Sequence, residues 1–183
     1  SHFRVERATL AAAYLQQEQA FEETTIALLT LLAGKGFPRD TIKNSIKKWG
    51  ARAAKMIRQN PYQVMRFRVC GFGKTDELYL GLGKDPARRK RQTLCIWHAI
   101  SRDMSGSTWF PTEFVEKALS EKVGSTAVLP VEAVRLGVRS KLLDTYRDKD
   151  RKLWLTERSR SIAEQSIADD VKRLLSSSST WPN

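Results

Sequence analysis

Val69-Cys70-Gly71-Phe72-Gly73-Lys74-Thr75-Asp76-Glu77-Leu78-Tyr79-Leu80-Gly81-Leu82-Gly83 is the stretch whose reading decides the fold. Two glycines flanking one residue mark a tight turn, and Leu-Gly at the far end marks a stop. Between them, residues 74–83 read as a helix. Upstream, Asn60-Pro61 opens residues 61–68, a segment equally compatible with a short helix or an extended run. Together the two segments read as helix, glycine turn, helix. A turn of that kind aims backbone N–H groups outward into an anion-binding concavity. Gly71 and Gly73 let the backbone approach a phosphate without a Cβ in the way. Lys74 adds a positive charge and Thr75 a hydroxyl donor. The plainer alternative is that the two glycines only turn the chain.

Gly73-Lys74-Thr75 also has the look of the end of a nucleotide phosphate loop. The first glycine of that motif would fall at position 68, where Arg68 stands, and no strand with a magnesium-binding Asp follows. An ATP site is therefore not expected in this chain.

Outward from this centre the pattern repeats in kind. Residues 8–33 read as one helix, with Leu10, Tyr14, Phe21, Leu28 and Leu32 on one face. Gly34-Lys35-Gly36 ends it, Pro38 opens the next helix, and Ile42, Ile46 and Trp49 form its apolar stripe. Gly50 breaks that helix and a short one runs to about Arg58. Pro86 opens another, to about Ser101. In the last third, Pro111 and Pro130 each start a helix. Leu142 to Tyr146 and Lys152 to Leu155 then flank the polar loop Arg147 to Arg151, a β-hairpin signal. A final helix runs from about Glu157 to Leu175, striped by Ile162, Ile167 and Val171, and Ser176 to Ser179 reads as a linker. The expected fold is mostly α: helix-hairpin-helix repeats followed by a small winged-helix-like unit with one β-hairpin. The expected divisions are 1–33, 34–104, 105–156 and 157–183.

Charge points to the partner. The 183 residues carry a net charge of +12, and residues 34–100 alone hold 16 basic and 4 acidic residues. A solvated surface has no reason to gather its excess in one stretch, so a polyanion, and DNA first, is the expected partner. The candidate contacts are Lys35, Arg39, Lys43, Arg68, Gly71, Gly73, Lys74, Thr75, Arg88, Arg89 and Arg91, reading backbone rather than bases. The run Arg88 to Arg91 circles a whole helical turn, so only part of it can face one ligand. The wing is less promising, because Arg147, Lys149, Arg151 and Lys152 alternate with Asp144, Asp148 and Asp150.

Catalytic sets are missing. His98 lies beside Trp97 in an apolar helix and reads as packed. Trp49, Trp97, Trp109 and Trp154 could stack bases but read first as core. Cys70 and Cys95 have no metal-ligand spacing and read as free thiols of a cytoplasmic protein. No segment has the length of a membrane span. Neither a catalytic residue, a metal nor a cofactor is expected in the chain.

Asn60-Pro61-Tyr62, Lys74-Thr75-Asp76 and Leu82-Gly83 follow in an order and spacing that resemble the N-terminal region of RecD-like DNA helicases, relatives of the exodeoxyribonuclease V alpha subunit. Trp49-Gly50, Asp85-Pro86, Thr108-Trp109-Phe110-Pro111 and Trp154-Leu155 extend the likeness over most of 28–175. The resemblance implies helix-hairpin-helix repeats and a winged-helix-like unit ahead of an ATP- and Mg-dependent 5′-to-3′ motor, so that the chain is expected to be a fragment whose motor follows it. It implies DNA, duplex, forked or single-stranded, and the chain's own motor domain as partners. An interaction module docking on that motor or another protein, with Trp109 or Trp181 in an apolar patch, is the alternative. The chain departs from the family at the hairpin. Where family members show Gly-Ile-Gly-Phe, alignment through Asp76 puts Val69 at the first glycine, whereas alignment on Gly71 and Gly73 shortens the helix that follows.

Overall fold

A computed structural model describes residues 2–124 and 128–177. Trp181 and the end of the Ser176–Ser179 linker lie outside them. The chain forms two compact units, 1–85 and 86–183.

The first unit is all helical. α1 (His2–Leu32) is followed by α2 (Asp40–Trp49), α3 (Ala53–Gln59) and α4 (Phe72–Gly81), with 3-10 helices at Gly50–Arg52 and Pro61–Arg66. The second 3-10 helix resolves the ambiguity of 61–68. Leu28, Leu31 and Leu32 pack with Ala53, Ala54, Ile57, Val64, Cys70 and Leu78, and Phe37, Ile42, Ile46, Trp49 and Phe67 close the edges. Burying such side chains stabilises the fold by about 1.5–3 kcal/mol each. The expected inward face of α1 is only half right. Leu10, Tyr14 and Phe21 stay 52–71% exposed, because the residues that bury Leu28 and Leu32 are met only by the helix's last turns.

The second unit runs α5 (Arg89–Arg102), β1 (Phe110–Pro111), α6 (Thr112–Val123), α7 (Pro130–Arg139), β2 (Leu143–Arg147), β3 (Leu153–Glu157) and α8 (Arg158–Ser177). Its sheet order is β1-β3-β2, antiparallel throughout, with Phe110 opposite Leu155 and Thr145 opposite Leu155 on the other side. Three helices and a three-stranded sheet in this order make a winged-helix arrangement. The hairpin lies one residue beyond its expected position, and β1 was not anticipated. α5, which the sequence groups with the glycine turns, packs on α6, α7 and β3. Leu94, Ile96 and Ile100 carry it into a core with Val115, Leu119, Ala133, Leu143 and Leu155. Gly137 lets α7 approach β2, since a Cβ there would lie 2.6 Å from Leu143 Cδ1. On α8, Ile162, Ile167 and Val171 are exposed, so that expected stripe is not part of the described core. No helix among the described residues is long and apolar enough to cross a membrane.

Candidate nucleic-acid interface

The first hairpin joins α1 to α2. Gly34 and Gly36 adopt φ +69° and +65°, so Lys35 stands between two left-handed residues that only glycine adopts cheaply. Arg39, Lys43 and Lys47 follow at four-residue spacing, all exposed, while Thr41 and Ser45 on another face are buried. This row advances about 6 Å per residue named.

The second hairpin joins the 3-10 helix Pro61–Arg66 to α4. Its geometry is set by a buried aromatic stack. The Tyr62 ring lies 5.1 Å from Tyr79 and 6.1 Å from Phe72, and its hydroxyl donates to Asp76 Oδ1 at 2.6 Å. α4 therefore begins at Phe72, two residues earlier than expected. Gly71 caps it in extended conformation, and Gly73 lies inside its first turn. Neither glycine is left-handed. The left-handed residue is Val69, at φ +64° and 64% exposed, the position where the family's first glycine was expected. A β-branched residue there is strained, because its Cβ crowds the backbone. Gly71 and Gly73 are exposed, and nothing lies within 4 Å of where a Cβ would be on either. The first turn of α4 thus lies next to open backbone.

The two turns meet. Lys74 Cε lies 3.7 Å from the point where a Cβ on Gly36 would sit, and Lys35 Nζ lies 3.1 Å from the corresponding point on Gly81. Lysines from hairpins almost forty residues apart in sequence thereby reach across to the opposite hairpin, Lys74 to the first turn and Lys35 to the end of α4. Lys74 Nζ also makes a long contact of 3.5 Å with the Val69 carbonyl. Arg68 is exposed on the same loop.

Two expected contacts are corrected. Thr75 is fully buried, and its hydroxyl donates to the Phe72 and Gly71 carbonyls at 2.8 and 3.1 Å. It cannot serve an external phosphate, nor the magnesium of a phosphate loop. Arg91 is 2% exposed and donates to the Pro86 and Lys122 carbonyls at 2.8 and 3.2 Å. It is a structural clamp, placed inward by the same helical turn that leaves Arg88, Arg89 and Lys90 exposed. These cations belong to the second unit, where they line a cleft with Arg135 and Arg139 of α7. The two α7 arginines were missed by sequence reading, although their i, i+4 spacing was legible.

The four tryptophans among the described residues are internally engaged. Trp49 meets the Phe67 ring edge-on at 5.5 Å, and the Trp97, Trp109 and Trp154 indoles donate to Glu157, Glu164 and Asp148. At the wing, Lys152 pairs with Glu113 and Asp144 with Arg158 of α8, each at 3.4 Å. Asp148 accepts from the Trp154 indole and from the Lys152 and Asp150 backbone N–H groups, and these bonds hold its carboxyl below the ordinary range. His98 is half-buried on α5. Cys70 and Cys95 are free, buried thiols, and among the described residues no cluster could hold a metal.

No curated protein matches the chain. Residues 21–109 match the family described as the ATP-dependent RecD2 DNA helicase HHH domain, and both hairpins lie within the matched residues.

Proposed function

We propose that this chain is a non-catalytic DNA-binding domain that grips the phosphate backbone for a RecD-like, ATP-dependent 5′-3′ helicase of DNA repair or recombination. The observation that carries the reading is the side-by-side placement of the two hairpins, in which Lys74 of the second reaches Gly36 of the first and Lys35 reaches the end of α4 at Gly81, with the backbone of Gly71 and Gly73 exposed. Arg39 and Lys43 extend the positive surface along α2, and Arg68 extends it along the second loop. Arg88 and Arg89 add exposed cations in the second unit. Phosphate contacts of this kind set position and affinity while carrying little sequence information.

ATP and Mg belong, in this reading, to a motor outside these residues. Gly73-Lys74-Thr75 does not fit them, because the Thr75 hydroxyl is spent inside α4. The protein would act in the cytoplasm, with its motor as an intramolecular partner. The exposed Leu10, Tyr14, Leu15 and Phe21 of α1 favour a second role, docking on that motor or another protein.

Fluorescence anisotropy with duplex, forked and single-stranded DNA at two salt concentrations tests the main reading. Micromolar or tighter binding that weakens steeply with salt is expected, and Lys35→Glu with Lys74→Glu should reduce it at least tenfold. Absence of binding at low salt rules the reading out.

A further inference from the structure

Five cations of the second unit line one cleft of about 600 Å³: Arg88, Arg89 and Lys90 at the start of α5, and Arg135 and Arg139 on α7. Glu132 is the one carboxylate in that lining. It pairs with Arg89 at 3.1 Å, but both side chains are about half exposed or more, so the pair is solvent-screened. The cleft thus keeps a strong positive excess. Partial burial, and after it the neighbouring Arg88, lower the pKa of the Lys90 ammonium.

The cations are held by a rigid frame. Thr93 Oγ1 of α5 donates to the Ala133 carbonyl of α7 at 2.8 Å, and Gln92 is tied to the Ala87 carbonyl and the Leu129 N–H. Buried Arg91 clamps the loop before α5. Arg135 and Arg139 stand one turn apart, about 6 Å along the α7 axis. On the other side of α7 the same two arginines border a mostly apolar groove that also holds Glu116 and Arg147 of β2. The five cations of the cleft are spread over the start of α5 and two turns of α7 rather than closing around a point. A small anion needs one or two of these groups, whereas a row of them suits an extended chain of phosphates.

We propose that the α5–α7 cleft is a second site for nucleic-acid backbone, formed within the winged-helix unit and sharing no residue with the glycine hairpins. Its ligand class rests on the DNA-binding reading of the chain.

The test uses the whole chain, a fluorescein-labelled duplex and a KCl series. Arg135→Glu with Arg139→Glu should lower affinity about tenfold at low salt. It should also flatten the log–log salt slope by about two, near 0.9 for each lost phosphate contact. The milder Arg135→Gln with Arg139→Gln pair, checked for wild-type circular dichroism, should move both readouts in the same direction. Glu132→Gln should tighten binding several-fold by releasing Arg89. Inorganic triphosphate should compete far more weakly than unlabelled duplex at equal phosphate concentration; equal competition would overturn the polymeric ligand. If Lys35→Glu with Lys74→Glu abolishes binding while both α7 pairs keep the wild-type affinity and slope, the cleft is refuted and the hairpin reading survives. A wild-type chain that does not bind at low salt refutes both.

Discussion

The Tyr62 hydroxyl donates to Asp76 Oδ1 over 2.6 Å, joining the 3-10 helix Pro61–Arg66 to α4 beneath the second hairpin. Both residues are at most 7% exposed. A buried hydrogen bond to an acidic side chain contributes about 1.5–3 kcal/mol, and removing one partner leaves the other desolvated. Tyr62→Phe keeps the ring stack and removes only the hydroxyl. It is expected to destabilise the chain by about 1–3 kcal/mol in urea unfolding. An unchanged midpoint would show that the bond contributes nothing.

Val69 carries a strain that glycine would relieve. A left-handed L-residue costs about 1–2 kcal/mol, part of which is offset by the extra freedom glycine gains in the unfolded chain. Val69→Gly should therefore stabilise the protein by about 0.5–1 kcal/mol, raising the thermal midpoint by a few degrees. A lower midpoint would contradict the backbone conformation at Val69.

Arg91 and Arg88 are three residues apart and should behave oppositely. Arg91→Ala leaves the Pro86 and Lys122 carbonyls without their guanidinium donor and opens space in the core. A loss of about 2–4 kcal/mol is expected in thermal or urea unfolding. Arg88→Ala, on an exposed side chain, should stay within about 0.5 kcal/mol of wild type. Equal effects would refute the inward placement of Arg91.

The loop between β2 and β3 should respond to acid. Asp148 is held below its ordinary pKa chiefly by the Trp154 indole N–H. Its contribution is thus complete above the unfolded value, near 4, and is lost as pH falls through the lower folded value. The Trp154 indole proton resonance should move over that window below about pH 4. Asp148→Asn should remove the transition, and its persistence in that variant would assign it to another group.

Turns and helix limits were legible in the sequence because they depend on short-range backbone preference. Gly34-Lys35-Gly36, Asn60-Pro61 and Pro130 each act on the residues beside them, and the concentration of basic residues in 34–100 needs no fold to be counted. The expectation of helical hairpins followed by a wing rested on such signals. What depends on distant partners was hidden. Two-residue β1 has no periodicity of its own and exists because Leu155 and Trp154 accept Phe110 and Pro111 as neighbours. Thr75 and Arg91 share the chemistry of ligand-binding residues, and only burial by the surrounding helices shows that their hydrogen bonds are made inside the protein. The meeting of Lys35 with Lys74's helix, and of Arg88 and Arg89 with Arg135 and Arg139, likewise comes from packing. Local propensity thus determined where the chain turns, while the burial of apolar surface by distant segments decided which cations face outward and which of them stand together.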